Sequence, residues 1–387
     1  MRKYGAYLPA LLMDACISSI LTNAAFYINY LHFSSTFLGT LTAISTGVFV
    51  LLAIPFGRLS DKIGRPHVLT LACFSLAAVS ILLPFCTRKL YLMIAFPCSG
   101  IGMALFWPTY EAWLAEREGD GDLIRRITTF NLFWTVGITI GPMISSYLYK
   151  GTSPVLAFYL AGGFSLVNWI TLESQTIVNR KNLRSPEHSD LNEAPPHAAH
   201  YTYLRIARIA NFASWFSLGI VRHIAPKLTV ESSIPAMAFG NLMLVMGTTQ
   251  LIGFLWLGTN RAARWHYRLP PLIGAQLLAI IAFLAIGFMP HGFYWTCAFA
   301  VIGLSGAVTY FSSMYYSLHA QQDKGNKSGG HEAVLGSGLL LGPLFGGMLA
   351  DSALGVSSPY ILCAVVIGVC SLAETIIWLR QKQMVGV

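Results

Sequence analysis

Two acidic residues stand inside long apolar runs of this sequence, where a carboxylate is unfavourable unless it has a partner or a function. Asp14 lies in the first run and Glu111 in the fourth. A charged side chain deep in a bilayer costs at least about 2.5–3.5 kcal/mol on insertion scales. We expect Asp14 to take up and release a proton or to pair with a cationic solute. The alternative is a shallow, solvated position near the end of its helix.

Asp14 belongs to a stripe of polar and small residues on an otherwise apolar helix. The members are spaced i, i+4, i+8, i+11 and i+15, which brings them to one helix face. Because lipid would leave such groups unsatisfied, the stripe is expected to face a water-filled cavity. The stripe comprises Asp14, Ser18, Thr22, Ala25 and Asn29.

Aromatic residues surround Glu111 in the fourth run. Trp107, Tyr110 and Trp113 lie within a turn of it. Aromatic faces beside an acid can hold an amphipathic cation through cation–π contact. Glu111 lies only a turn or two from the end of its run, so a structural ion pair is equally consistent with the sequence.

Further candidates for a substrate site occur in the second half of the chain. Arg222, near the outer end of the seventh run, is expected either to attract an anion or to extend to the membrane interface. Asn211 and Tyr310 are predicted to line the same cavity. The sequence has no phosphate-binding loop, metal-ligand spacing or nucleophile–base pattern, so we predict no catalytic residue, metal or cofactor.

The composition is that of a membrane protein. Hydrophobic residues make up 55% of the 387 positions and charged residues only 11%, and the mean hydropathy is +0.60. Soluble domains carry about twice this charged fraction. The seven cysteines fall almost entirely in apolar segments and form no C-x-x-C pair, which indicates neither a disulfide framework nor a zinc site.

Apolar runs divide the chain into about twelve membrane spans, which predicts an all-α integral membrane protein. A polar, proline-containing stretch at 174–203 separates residues 1–173 from residues 204–387, and it is predicted to be a solvated linker between two six-helix bundles. The predicted spans are 6–30, 37–57, 66–87, 90–115, 128–149, 153–173, 204–227, 234–258, 269–289, 293–318, 332–350 and 358–379.

The net charge of +9 is a topology signal rather than a sign of nucleic-acid binding. With the N-terminus inside, most of the 25 Lys and Arg residues fall in cytoplasmic segments. The positive-inside rule therefore places both termini in the cytoplasm, in a multi-pass protein of the cell membrane. The opposite side keeps Arg88, Lys89, Lys150, Arg222 and Lys227.

The two halves are related by an internal repeat. One constant shift along the chain carries three separate elements of the first half onto the second, which predicts parallel repeats with a substrate path between them. In the fifth and eleventh spans the repeat contains a G-x-x-x-G-P sequence, which favours close helix packing and a bendable backbone. The motif residues are Gly137, Gly141 and Pro142, and Gly338, Gly342 and Pro343.

Residues 57–66 form a short charged segment between the second and third spans. The sequence predicts a tight hydrophilic turn, because its glycines permit positive φ and Pro66 suits the first turn of a helix. The segment resembles the loop signature of the major facilitator superfamily, G-x-L-[AS]-D-[RK]-x-G-R-[RK], and only Pro66 departs from it. The matching positions include Gly57, Asp61, Lys62, Gly64 and Arg65.

This resemblance covers essentially the whole chain and implies a secondary transporter that works by alternating access, with the Asp61 segment as a latch at the cytoplasmic face. The Gly-Pro sequences also resemble the antiporter motif of drug/proton exchangers, completed by Gly346 and Gly347 in the eleventh span but not in the fifth. The expectation is proton-coupled export of a small organic solute by a monomer in the lipid bilayer. The alternatives are import of a sugar or organic acid and a non-transporting membrane sensor.

Overall fold

The computed structural model describes residues 2–116, 123–149, 154–179, 199–259, 267–318 and 324–385. Every regular element in these ranges is helical, and we number the twelve long helices α1 to α12. They are α1 Leu8–Tyr30, α2 Ser35–Ile63, α3 Arg65–Leu82, α4 Cys98–Ala115, α5 Leu123–Leu148, α6 Val155–Asn179, α7 His200–Gly219, α8 Ala236–Leu257, α9 Leu269–Phe288, α10 Phe293–Leu318, α11 Lys324–Ala350 and α12 Ser358–Val385.

Among the described residues, eleven helices are long and apolar enough to cross a membrane. The exception is α7, which carries Arg205, Arg208 and Asn211 within its length. A π-helical turn at Ile220–Ile224 and a short helix at Ala225–Glu231 extend α7 toward the side of the protein opposite the chain termini. The predicted all-α membrane fold is confirmed, and the seventh span is less apolar than the other eleven.

Helix pairing repeats between the two halves of the chain. In the first half α1 packs against α5 and α6, α2 against α4, and α3 against α4 and α6. The same pairs recur six helices later, and the seams α2–α11 and α5–α8 join the halves. The predicted boundaries at 174 and 203 differ from the helix ends, since α6 continues to Asn179 and α7 begins at His200. Residues 180–198 of the predicted linker lie outside the described residues.

The Gly-Pro sequences bring helices together within each half. A Cβ on Gly137 of α5 would clash with the carbonyl oxygen of Leu11 in α1, and one on Gly141 would clash with the hydroxyl of Ser18. In the second half a Cβ on Gly342 would meet the backbone of Phe216 in α7. Gly338 faces the same helix, where Phe216 N would lie 2.8 Å from an added Cβ. Small residues thus allow α1–α5 and α7–α11 to approach closely.

Replacing Gly342 by Ala should destabilise the protein, because the added methyl group meets backbone atoms that cannot move aside. Overpacking of this kind costs about 1–3 kcal/mol. Gly163 of α6 is a matched control, since a Cβ added there would have no atom of the described residues within 4 Å. Gly163→Ala should leave stability unchanged or raise it by about 0.5–1 kcal/mol. Thermal unfolding in detergent measures both, and equal stability of the two variants would contradict the packing argument.

The segment between α2 and α3 differs from the predicted turn over 57–66. Helix α2 continues through Ile63, and Gly64 alone makes the turn with φ of +93° before α3 begins at Arg65. No helix-breaking residue follows Gly57 until Gly64, so polar residues extend the helix beyond its apolar part. Gly64 ends it because glycine adopts positive φ without steric cost.

Candidate functional site

A cavity of about 610 Å³ lies between the two halves. Its lining comes from α2, α4 and α5 in the first half and from α10 and α11 in the second. Its lining residues Ala115 and Ser317 lie at the ends of α4 and α10, on the side that carries the chain termini, which we call the terminal face. The volume is typical of a small-molecule site. The cavity is therefore a vestibule that opens at the terminal face.

A smaller inner cavity of about 100 Å³ lies deeper between the halves. It reaches Asp14 of α1, Pro142 of α5 and Arg222 of the π-helical turn. The vestibule and the inner cavity share lining residues and therefore form one path from the terminal face. The shared residues are Phe49, Trp107, Glu111, Phe130, Tyr310 and Glu332.

Asp14 lies in the inner cavity, and its side chain is only 5% exposed. Within the described residues its Oδ2 atom has no hydrogen-bond partner. Ser18 and Thr22 of the predicted stripe line the same cavity. Asn29, also predicted as a site residue, lines neither cavity. It is partly buried and lies near the end of α1, beyond the cavity-lining residue Thr22.

Glu111 meets a carboxylate from the other half of the protein. Glu332 of α11 lines both cavities with Glu111, and the two groups are close enough to interact electrostatically. Glu332 is not among the site residues predicted from the sequence. The available signal was its spacing with Leu335 and Leu339, which places all three on one face of α11, and both leucines line the inner cavity.

Aromatic rings form one wall of the inner cavity. The Tyr310 ring stacks on Trp134 with centroids 5.4 Å apart, and Trp215 lies 5.8 Å from Tyr310. Tyr310 was predicted, whereas Trp134 and Trp215 were not. The signal for Trp134 was its spacing with Phe130 and Pro142, which share the cavity-facing side of α5.

Arg222 is held inside the protein and does not extend to the membrane interface. Its side chain is 5% exposed, and its guanidinium carbon lies 5.3 Å from the ring centroid of Trp215 and 5.9 Å from that of Trp134. Within the described part of the chain, none of its three guanidinium nitrogens has a hydrogen-bond partner. Asn211 of α7 is buried but lines neither cavity.

The face opposite the termini is closed by contacts between the halves. Asp351, after α11, accepts hydrogen bonds from the backbone N–H groups of Ser35 and Thr36 at 3.0 and 2.6 Å. The ammonium of Lys227 donates to the Ser35 hydroxyl at 3.1 Å. Gly39 of α2 lies directly against the carbonyl oxygen of Pro343, so that no Cβ fits there. The inner cavity is therefore shut off from this side.

The charge of Asp351 suits its place at the start of α2. Partial burial raises its pKa, but hydrogen bonds from Thr36 and Ser35 outweigh this and hold the pKa below the ordinary value of 3.8. The ionised carboxylate of Asp351 therefore stabilises this contact fully at any pH above its ordinary pKa. This stabilisation is lost only as the pH falls through the lowered pKa. The contact therefore persists across the physiological pH range.

The Asp61 segment makes its contacts within the first half of the chain. The Asp61 carboxylate is 63% exposed and lies 3.4 Å from Arg65. Arg65 also pairs with Glu116 after α4 at 2.8 Å. Lys62 is exposed, and Gly57 lines the vestibule. In this conformation both ion pairs of the segment lie within the first half, whereas a closed latch at the terminal face would require a contact with the second half.

A sequence profile that describes the Major Facilitator Superfamily matches residues 6–329. The chain belongs to the Major Facilitator Superfamily. The resemblance seen in the sequence is thereby confirmed. Members of this superfamily are transporters that bind small-molecule substrates in the membrane.

Several named relatives are similar to this transporter. Multidrug resistance protein 1 of Bacillus subtilis is 24% identical over 365 residues, which cover 90% of this chain and 89% of the relative. An uncharacterized MFS-type transporter of Methanocaldococcus jannaschii is 32% identical over 157 residues, which cover 40% of this chain. That match spans only 35% of the archaeal protein.

Solved structures share the fold of this transporter. The bacterial homologue of the human lysosomal transporter Spinster, in an inward-facing and occupied conformation, has a TM-score of 0.73 at 14% identity and covers 96% of this chain and 95% of its own. A mutant of the nucleoside transporter NupG has a TM-score of 0.72 at 13% identity, with 96% and 98% covered. At these identities the likeness concerns the fold alone.

Proposed function

We propose that this transporter moves a small amphipathic organic solute across the cell membrane in exchange for or together with protons. The observation that carries the proposal is the composition of the cavity. Three carboxylates line it, from Asp14, Glu111 and Glu332, beside aromatic walls. Carboxylates supply proton-binding groups, and aromatic faces suit the apolar body of a solute.

Alternating access follows from the way the halves meet. The cavity opens at the terminal face, whereas Asp351 and Gly39 hold the opposite face closed. Rocking of the halves about the α2–α11 and α5–α8 seams would exchange the open and closed faces. Pro142 and Pro343 weaken the backbone of α5 and α11 next to these seams. The distribution of basic residues in the sequence supports a cytoplasmic terminal face, and with that orientation this conformation is inward-open.

Export by proton exchange is the proposed direction. The antiporter-like motif of α11 supports it, as does the relative named a multidrug resistance protein. A second candidate is proton-coupled import of an organic acid, which the buried guanidinium of Arg222 favours. The two candidates differ in whether protons and solute move in opposite directions or in the same direction.

Reconstituted liposomes test the proposal. The purified protein is placed in liposomes that hold a pH-sensitive dye, and a panel of amphipathic and sugar solutes is added with and without an imposed pH gradient. Solute-dependent proton movement is expected, and its direction relative to the solute separates exchange from cotransport. Folded protein that moves no protons with any solute would contradict proton coupling and favour uniport or a sensor role.

Replacing Asp61 by Asn should leave the protein inserted and folded but cut transport sharply. The proposed latch forms when the terminal face is closed, and the carboxylate charge of Asp61 would stabilise that state. The exposed position of Asp61 in the inward-open state predicts little change in thermal stability. Transport rates and thermal unfolding are measured side by side, and an unchanged rate would contradict the latch role.

A further inference from the structure

The guanidinium of Arg222 is a buried cation whose donors are unused. Arginine carries five N–H groups in a fixed planar arrangement. Nε, Nη1 and Nη2 of Arg222 are all buried, and none has a hydrogen-bond partner in the described part of the chain. Buried donors in native proteins are normally bonded, and an unpaired buried charge is strongly unfavourable. The donors therefore need an acceptor that the described side chains do not supply.

Asp14 balances part of this charge without using the donors. Both groups line the inner cavity and interact electrostatically, but no hydrogen bond joins them, and Oδ2 of Asp14 has no hydrogen-bond partner among the described residues. The remaining titratable groups of this cavity are His223, Glu111, Tyr310 and Glu332. Arg222 thus lines the inner cavity with its guanidinium donors buried and unbonded among the described residues.

The surroundings of Arg222 fix its orientation. The indoles of Trp134 and Trp215 contact the guanidinium, and such cation–π contacts hold the planar group in place. Its backbone lies in the π-helical turn Ile220–Ile224, an irregularity that is frequent at functional sites. The site is built before any solute enters.

We propose that Arg222 binds the carboxylate of the transported solute through paired hydrogen bonds, and that the solute is an organic acid with an apolar body. This inference rests on the proposed function, in which the cavity holds the transported solute. Two parallel N–H···O bonds match the planar guanidinium to a carboxylate. The apolar body fits beside the described hydrophobic lining residues Ile17, Leu21, Met103, Leu335 and Leu339.

Pairs of acids and their uncharged amides test this assignment by binding alone. The purified protein in nanodiscs is titrated with indole-3-acetate and indole-3-acetamide, benzoate and benzamide, and octanoate and octanamide, by calorimetry and thermal unfolding. At least one acid is expected to bind the wild-type protein tighter than its amide by about tenfold or more. Arg222→Gln should abolish this preference, and Arg222→Lys should keep part of it.

Arg205→Gln is the matched control, because Arg205 lies on α7, which the π-helical turn with Arg222 continues, and is exposed. It should retain the preference for acids. Should Arg222→Gln fail to fold, the wild-type comparison and Arg222→Lys decide the outcome.

The assignment is overturned when no acid in the panel binds the wild-type protein, when acids bind no tighter than amides, or when the preference survives in a folded Arg222→Gln protein. Binding and proton movement are separate measurements. Acid binding without proton movement would contradict the proposed coupling and support the anion site. Proton movement with neutral or cationic solutes alone would support the proposed function and overturn the anion site.

Discussion

Replacing Asp14 by Asn is expected to reduce solute-dependent proton movement to the level of protein-free liposomes. Asp14 is buried in the inner cavity, and its carboxylate lacks a hydrogen-bond partner at Oδ2 among the described residues. A carboxylate in this position can take up and release a proton, whereas the amide of asparagine cannot. The measurement is dye-reported proton movement in liposomes that contain equal amounts of wild-type and variant protein.

Glu374 provides a matched control for a buried carboxyl group. It is fully buried on α12, accepts a hydrogen bond from Gln276 at 2.7 Å and lines neither the vestibule nor the inner cavity. Glu374→Gln should therefore preserve proton movement. Proton movement that persists in folded Asp14→Asn would show that Asp14 is not the coupling group, and Glu111→Gln and Glu332→Gln would then identify which of the remaining carboxylates is.

Replacing Asp351 by Asn should open the face opposite the termini. Its carboxylate accepts two backbone N–H bonds at the N-terminus of α2, where a negative charge is favoured. A hydrogen bond to a charged group contributes about 1.5–3 kcal/mol. Because Asp351 is exposed to solvent, we expect the loss of free energy to lie at the lower end of this range. A loss of that size raises the ratio of protein open at this face to protein closed there about tenfold.

Thiol labelling from each side measures this change. The variant Thr22→Cys places a thiol in the inner cavity, on a background in which the native cysteines that are not buried are replaced by serine. A membrane-impermeant reagent applied at the opposite face should label this thiol about tenfold faster when Asp351 is replaced.

Ser34→Ala is the control for the Asp351 experiment. The Ser34 hydroxyl accepts a hydrogen bond from Phe37 N at 3.1 Å, so it caps the same helix end without joining the halves. Its loss should weaken α2 but leave labelling from the opposite face unchanged. Equal labelling in Asp351→Asn and wild-type protein would show that the remaining contacts, including Lys227 with Ser35 and Gly39 with Pro343, suffice to close this face.

The sequence by itself determined the fold class and the family. Apolar runs long enough to cross a bilayer can be recognised locally, because lipid requires every backbone group to be bonded within its own helix. The repeat and the segment around Asp61 depend on residue types at fixed positions, so they too are visible without a structure. Asp14, Glu111 and Tyr310 were predicted because acids and aromatic residues in apolar helices are conspicuous.

Only the tertiary structure decided which of these residues share a cavity. The meeting of Glu111 with Glu332 depends on α4 and α11 facing one another across the halves, and no local pattern records that pairing. The same holds for Arg222, whose position beside Trp134 and Trp215 excludes the alternative that its side chain extends to the membrane interface. It also holds for Asp351, which accepts a hydrogen bond from the start of α2. Periodicity fixes the face of a helix on which a side chain lies, but the packing of distant helices fixes what that face meets.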